Sequence, residues 1–197
     1  MSDNHHQIWL FRHGETEWSK SGQHTGRTDL PLNKAGEARA RAIGRRLGGR
    51  PFALVLSSPL IRSVETCRLA GYEDGAVLDD DLMEWDYGDY EGRRTVDIQK
   101  ERRGWVIWRD GVPGGERVEA VGKRACWVIA RALAADGDVA LFSHGHMLRI
   151  LTACWLGLPP ADGEFFTLGT ATVSVLGFEH DYRVIVRWNQ NSHLVEV

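Results

Sequence analysis

Short apolar runs alternate along this chain with longer stretches whose apolar residues recur at helical spacing. Ile8 to Phe11 is such a run and closes on Arg12-His13-Gly14, which reads as a buried strand and a sharp turn. Asn33 then reads as a helix N-cap before Lys34 to Leu47, where Ala35, Ala38, Ala42, Ile43 and Leu47 form the stripe and Gly48-Gly49 the stop. Phe52 to Leu56 predicts a second strand ending in Ser57-Ser58-Pro59. Pro59 suits the first turn of a helix running to about Ala70. Asp79 to Gly92 reads as a long loop, Thr95 to Arg102 as a short helix and Gly111 to Gly115 as another loop. Glu116 to Ala135 predicts a long helix that buries Val118, Val121, Ala125, Val128, Ile129 and Leu133. Val139 to Phe142 is a third strand, ending in Ser143-His144-Gly145-His146, with a helix from about Met147 to Leu156 behind it.

The last part changes period. Thr172 to Phe178 and Arg183 to Trp188 alternate in twos around His180-Asp181, a hairpin pattern. Strands alternating with helices predict a three-layer α/β/α sandwich. Its central sheet is mostly parallel, with an antiparallel part near the C-terminus. No repeat, low-complexity tract or linker interrupts residues 1–197, so one domain is expected.

Composition narrows the class. Hydrophobic residues make up 43% and charged residues 26%, which disfavours disorder. No apolar run approaches the ~18 residues of a membrane span. The net charge of -3 gives no global field for nucleic acid or an anionic membrane. Cys67, Cys126 and Cys154 are odd in number, widely spaced and without a C-x-x-C pair, so they read as buried, reduced thiols of a cytoplasmic protein. Met1 to Gln7 is polar and lacks the apolar core of a signal peptide; His5 and His6 are assigned no function.

The candidate chemistry lies where the three predicted strands end: Arg12-His13-Gly14, Ser57 to Arg62, and Ser143 to His146. Ligands of open α/β sheets bind outside the carboxyl ends of parallel strands. If these strands are parallel neighbours, Arg12, Arg62, His13 and His144 converge. Arginine's planar fork matches phosphate oxygens and keeps its charge. Helix N-termini behind the strands add N–H donors. Neighbouring cations disfavour protonated imidazole, so His13 is expected neutral and nucleophilic. His144-x-His146 is too sparse for zinc, no metal or other cofactor is implied, and Asp79-Asp80-Asp81 reads as a solvated loop.

Leu10 to Thr16 with Trp18 resembles the signature of the histidine phosphatase superfamily, the phosphoglycerate-mutase-like fold. The order of Thr25-Gly26, Ser57-Ser58-Pro59 with Arg62 and Thr66, Glu84 with Gly88 and Glu91-Gly92, Gly115-Glu116, Ser143 to His146 and His193-Leu194 extends that resemblance over the chain. It implies that His13 is the phosphorylated nucleophile. Arg12, Arg62 and His144 then bind the transferring phosphoryl group, and Glu84 is the general acid and base. Ser19, Thr25, Gly26 and the Gly145 amide would line the pocket. A carboxyl facing a phosphate dianion is pushed towards its protonated form, consistent with that use of Glu84.

Within the family the residues favour hydrolysis over mutase chemistry. Glu84 is followed by Trp85-Asp86-Tyr87 rather than a basic residue, Ser19 replaces the usual asparagine, and the segment to Glu116 is short. Glu84 to Gly92, with Trp108 to Gly111, is similar to the sedoheptulose-bisphosphatase-like branch and to bacterial acid phosphatases. The expected partner is a small phosphorylated metabolite, with His24, Tyr87 and Arg149 as further substrate contacts; His146 reads as structural. A mutase and a catalytically silent phosphate- or phosphoprotein-binding module are the alternatives. Any exposed tryptophan is a candidate for contact between copies.

Overall fold

The computed structural model describes residues 6–194, so His5 and most of the polar leader lie outside the described part. Its elements are β1 (Ile8–Arg12), α1 (Glu17–Ser21), α2 (Lys34–Leu47), β2 (Leu54–Ser57), α3 (Ile61–Leu69), β3 (Val77–Leu78), α4 (Thr95–Glu101), α5 (Ile107–Asp110), α6 (Val118–Leu133), β4 (Val139–Ser143), α7 (Gly145–Trp155), β5 (Val173–Glu179) and β6 (Tyr182–Gln190). They form one six-stranded sheet in the order β3-β2-β4-β1-β5-β6. The first four strands run parallel and β5 and β6 are antiparallel. The expected α/β architecture is therefore observed.

Alternation within each strand divides the core. Ile8, Leu10, Leu56 and Leu141 face α6 and α7, and pack with Val121, Val128, Leu148 and Leu151. Trp9, Phe11, Val55 and Phe142 face the other way and pack with Ile43, Leu47 and Cys67 of α2 and α3. Every residue of β4 is buried, as expected for a central strand covered on both faces. Register then does the positioning. Arg12 pairs with Ser143, and Ser57 with Phe142. The three strands thus stop at one edge, and His13, Ser58 and His144 are the next residues out.

Local chemistry sets the helix ends. Asn33 caps α2 by accepting from the Gly36 amide at 2.8 Å, and Gly48 closes it at φ 57°. Close approach demands glycine at position 14: a Cβ there would lie 2.5 Å from the Gly36 carbonyl oxygen.

Several sequence expectations need correction. Pro59 precedes α3 rather than entering its first turn, because Leu60 is the N-cap. The short α1, β3 and α5 carry no predicted period. Asp79 is buried rather than solvated; it accepts from the Asp81 amide and pairs with Arg131. Cys67 is buried, but Cys126 is exposed and Cys154 partly so; their thiols meet across α6 and α7. No helix among the described residues is long and apolar enough to cross a membrane.

Candidate active site

A cavity of about 240 Å³ opens at the strand ends, lined by Arg12, His13, Ser19, His24, Thr25, Glu84, Tyr87, Gly145 and Arg149 among others. A larger depression of about 610 Å³ runs along residues 15–37; its charged lining is mixed, with Glu15, Glu17 and Glu37 beside Lys20 and Lys34, and it holds neither arginine nor histidine. The smaller one is where Arg12, His13, Glu84 and Arg149 converge.

His13 is 4% exposed. Its Nδ1 lies 2.7 Å from the Gly14 carbonyl oxygen, an acceptor, so Nδ1 carries the proton and Nε2 keeps its lone pair. Burial, with the charges of Arg62 and Arg12, holds the imidazole well below its usual range, so it is neutral at ordinary pH. The turn is pinned from both sides: the His13 amide donates to Ser143 and the Gly14 amide to the Thr66 hydroxyl.

The two arginines differ. Arg12 donates through Nη1 to the Leu168 carbonyl, while its buried Nε has no protein partner. A buried donor without an acceptor costs about 1–3 kcal/mol, and an oxyanion is the acceptor that suits it. Arg62 is fully buried and largely engaged. Its Nε donates to His144 Nδ1 at 3.2 Å, Nη1 to Thr28 at 2.9 Å, and Nη2 to Thr25 and Gly26 at 3.1 and 2.8 Å. It clamps the 25–28 loop and contributes charge from behind the cavity. His144 accepts from Arg62, so its Nε2–H is the proton directed at Ser58 Oγ, 2.7 Å away. Its ring centre is 5.2 Å from that of His13, and burial with the Arg62 charge keeps it neutral.

Glu84 sits at the start of α7. One carboxylate oxygen accepts from the Trp85 and Met147 amides at 3.0 and 2.9 Å, the other from the His146 amide at 3.1 Å. A helix N-terminus is a natural place for such a group. Gly145, the first residue of that helix, approaches Arg12 closely: a Cβ there would lie 3.2 Å from the guanidinium carbon.

The remaining predicted contacts spread unevenly. Ser19 lines the cavity, but its hydroxyl closes a capping box with Thr16. Thr25 lines it as well. Gly26 stands behind, with its amide given to Glu91 and its carbonyl to Arg62. His24, Tyr87 and Arg149 form the outer wall. Tyr87 Oη is hydrogen-bonded to His146 Nδ1 at 2.5 Å, and the His24 ring lies 4.8 Å from Tyr87. Arg149 lies over Trp108 and donates to the Gly163 carbonyl at 3.1 Å. Burial lowers His24 to about 4 and holds His146 well below its usual range. Sequence reasoning treated His146 as structural, yet it lines the cavity. It also missed Gln23 and Leu168; Leu168 supplies a backbone acceptor, which leaves no residue-type signal. Among the described residues no three metal-binding side chains gather.

The family model for the histidine phosphatase superfamily (branch 1) matches residues 8–191. The chain belongs to that superfamily. This histidine phosphatase is 38% identical over 197 residues to an acid phosphatase of Mycobacterium tuberculosis, covering 98% of this chain and 97% of the relative. It is 39% identical over 181 residues to sedoheptulose 1,7-bisphosphatase of Saccharomyces cerevisiae, covering 76% and 67%. A Salmonella choleraesuis relative named probable phosphoglycerate mutase GpmB is 29% identical, covering 92% and 89%. The solved structure of Mycobacterium tuberculosis Rv3214 superposes on this fold with a TM-score of 0.89 at 38% identity, covering 94% of this chain and 98% of the other.

Proposed function

We propose that this chain hydrolyses small phosphate monoesters, sugar phosphates or related metabolites, without a metal and through a phosphoryl group carried on His13. One observation carries the reading: a neutral, buried imidazole whose Nδ1–H is tied to Gly14 and whose Nε2 is free, beside Arg12 and backed by Arg62.

The phosphate enters against Arg12 and the N-terminus of α7, where cationic and N–H donors neutralise its oxygens. His13 Nε2 attacks phosphorus and the P–O ester bond breaks. The departing alkoxide takes its proton from the Glu84 carboxyl. Water then attacks the phosphohistidine while Glu84 takes its proton, releasing inorganic phosphate and neutral His13. Arg62 holds the 25–28 loop and His144 in place and adds charge. His24, Tyr87, His146 and Arg149 meet the rest of the substrate. The names of the mycobacterial and yeast relatives support hydrolysis of a phosphate ester.

The test is release of phosphate from p-nitrophenyl phosphate with a chelator present. The native chain should turn over, and His13→Ala should not; a fully active His13→Ala chain sinks the mechanism. The name of the Salmonella relative favours a second reading, a mutase. Interconversion of 3-phosphoglycerate primed with 2,3-bisphosphoglycerate, much faster than phosphate release, would establish that reading instead.

A further inference from the structure

The Arg12-His13 turn leans on a loop that is held from elsewhere. The Ala171 amide donates to both the Arg12 and the His13 carbonyls, at 3.1 and 3.0 Å. Leu168 in the same loop receives the Arg12 side chain and lines the cavity. Ala171 is fully buried and sits at φ 56°, a left-handed conformation that strains a residue carrying a Cβ. Something must hold it there.

The chain's last described segment does so through three side chains. Trp188 Nε1 donates to the Thr167 carbonyl at 2.7 Å, and Asn189 Oδ1 accepts from the Gly169 amide at 2.8 Å. His193 Nε2 lies 2.9 Å from the Ala171 carbonyl oxygen. The His193 tautomer is set by α2: Arg46 donates to Nδ1 at 3.2 Å, so Nε2 carries the proton and is the donor to Ala171. Asn189 is itself left-handed, at φ 51°, where asparagine is among the better tolerated residues.

We infer that His193 and Asn189 are positioning residues for phosphoryl transfer: they latch the 167–171 loop, and that loop holds Arg12 and His13 in the reactive geometry. Neither touches the phosphate. The inference rests on the proposed use of Arg12 and His13. A misplacement of about 1 Å at reacting groups costs on the order of 100-fold in rate, so loosening the latch should appear in kcat.

The experiment compares two removals with two conservative replacements. His193→Ala removes the donor and His193→Gln restores an N–H near the Nε2 position. Asn189→Gly removes the acceptor without left-handed strain, and Asn189→Asp keeps it. With p-nitrophenyl phosphate, each removal should lower kcat by roughly 10- to 100-fold with KM changed less than about threefold, and each replacement should stay within about threefold of the native chain. Hydrogen exchange at the Ala171 amide should quicken in the removals only. If kcat per folded molecule holds while exchange quickens or the melting midpoint falls, the latch serves stability alone and the proposal is wrong. Unchanged kcat and unchanged exchange overturn it as well. Should His193→Ala fail to fold, the Asn189 pair decides. If the native chain hydrolyses no phosphate ester, the functional reading has failed. The latch is then judged by the His13 imidazole ¹⁵N shifts, which move in the removals if it positions the turn and stay fixed if it does not.

Discussion

Replacing Glu84 with glutamine separates its chemistry from its place in the fold. The carboxylate accepts three backbone N–H bonds, two on one oxygen and one on the other. Glutamine keeps the first oxygen, but its NH2 then faces the His146 amide, donor against donor. Losing that bond and leaving a buried donor unpaired costs about 1–3 kcal/mol, or roughly 3–10 °C in the melting midpoint of a chain this size. Kinetically the loss is larger and selective. A positioned general acid contributes about 10²–10⁴-fold, equivalent to about 3–5 kcal/mol of barrier, only when the leaving group needs a proton. Glycerol phosphate releases a basic alkoxide, whereas p-nitrophenolate leaves without help. The assay is kcat/KM for both esters in native and Glu84→Gln chains. Glycerol phosphate should lose at least about 100-fold more than p-nitrophenyl phosphate. Equal losses on the two esters would refute the role as proton donor.

The other expectations can be checked on the same preparations. Arg62→Ala strands His144 Nδ1 and the carbonyls of Thr25, Gly26 and Thr28, each left unsatisfied at a cost of about 1–3 kcal/mol, so a clear stability loss read by chemical denaturation should accompany the loss of activity. His24 has a folded value lowered to about 4 against an ordinary 6.5. The unfolded chain therefore binds its proton first, and stability present above pH 6.5 is lost as pH falls towards 4, by at most about 3 kcal/mol. His24→Gln should flatten the pH dependence of the melting midpoint over that window. Gly14→Ala drives a Cβ to 2.5 Å from the Gly36 carbonyl oxygen, a backbone atom, and should cost about 1–3 kcal/mol as well as activity, seen together in melting and turnover.

Much of this architecture is legible in the sequence, for physical reasons. Strands β1 and β4 announce themselves as apolar runs because helices cover both sheet faces, and α2 and α6 because only one stripe of each is buried. Helix α1 has no buried residue and exists through the Thr16 capping box, and β3 is two exposed residues held by pairing with β2. Neither leaves a period to read. Arg12, His13 and Gly145 line the cavity because strand ends carry them to one edge, whereas Glu84 reaches it from the loop after β3 and is held by the α7 amides. Gly26 was displaced from the lining because Glu91 takes its amide, a contact between distant segments. The same holds for Arg62, whose donors largely serve the 25–28 loop, and for Leu168, which acts through its carbonyl. Long-range backbone contacts of this kind have no spacing in the sequence.

The central claim is that phosphate passes through His13, and rapid-quench trapping tests it directly. Native protein mixed with ³²P-labelled ester and quenched in alkali within milliseconds should carry label on His13 Nε2, approaching one per chain, located by peptide mass spectrometry. The label should appear before free phosphate does and be lost on mild acid treatment, as a phosphohistidine is. Turnover with no protein-bound label, or label on any other residue, would contradict the account.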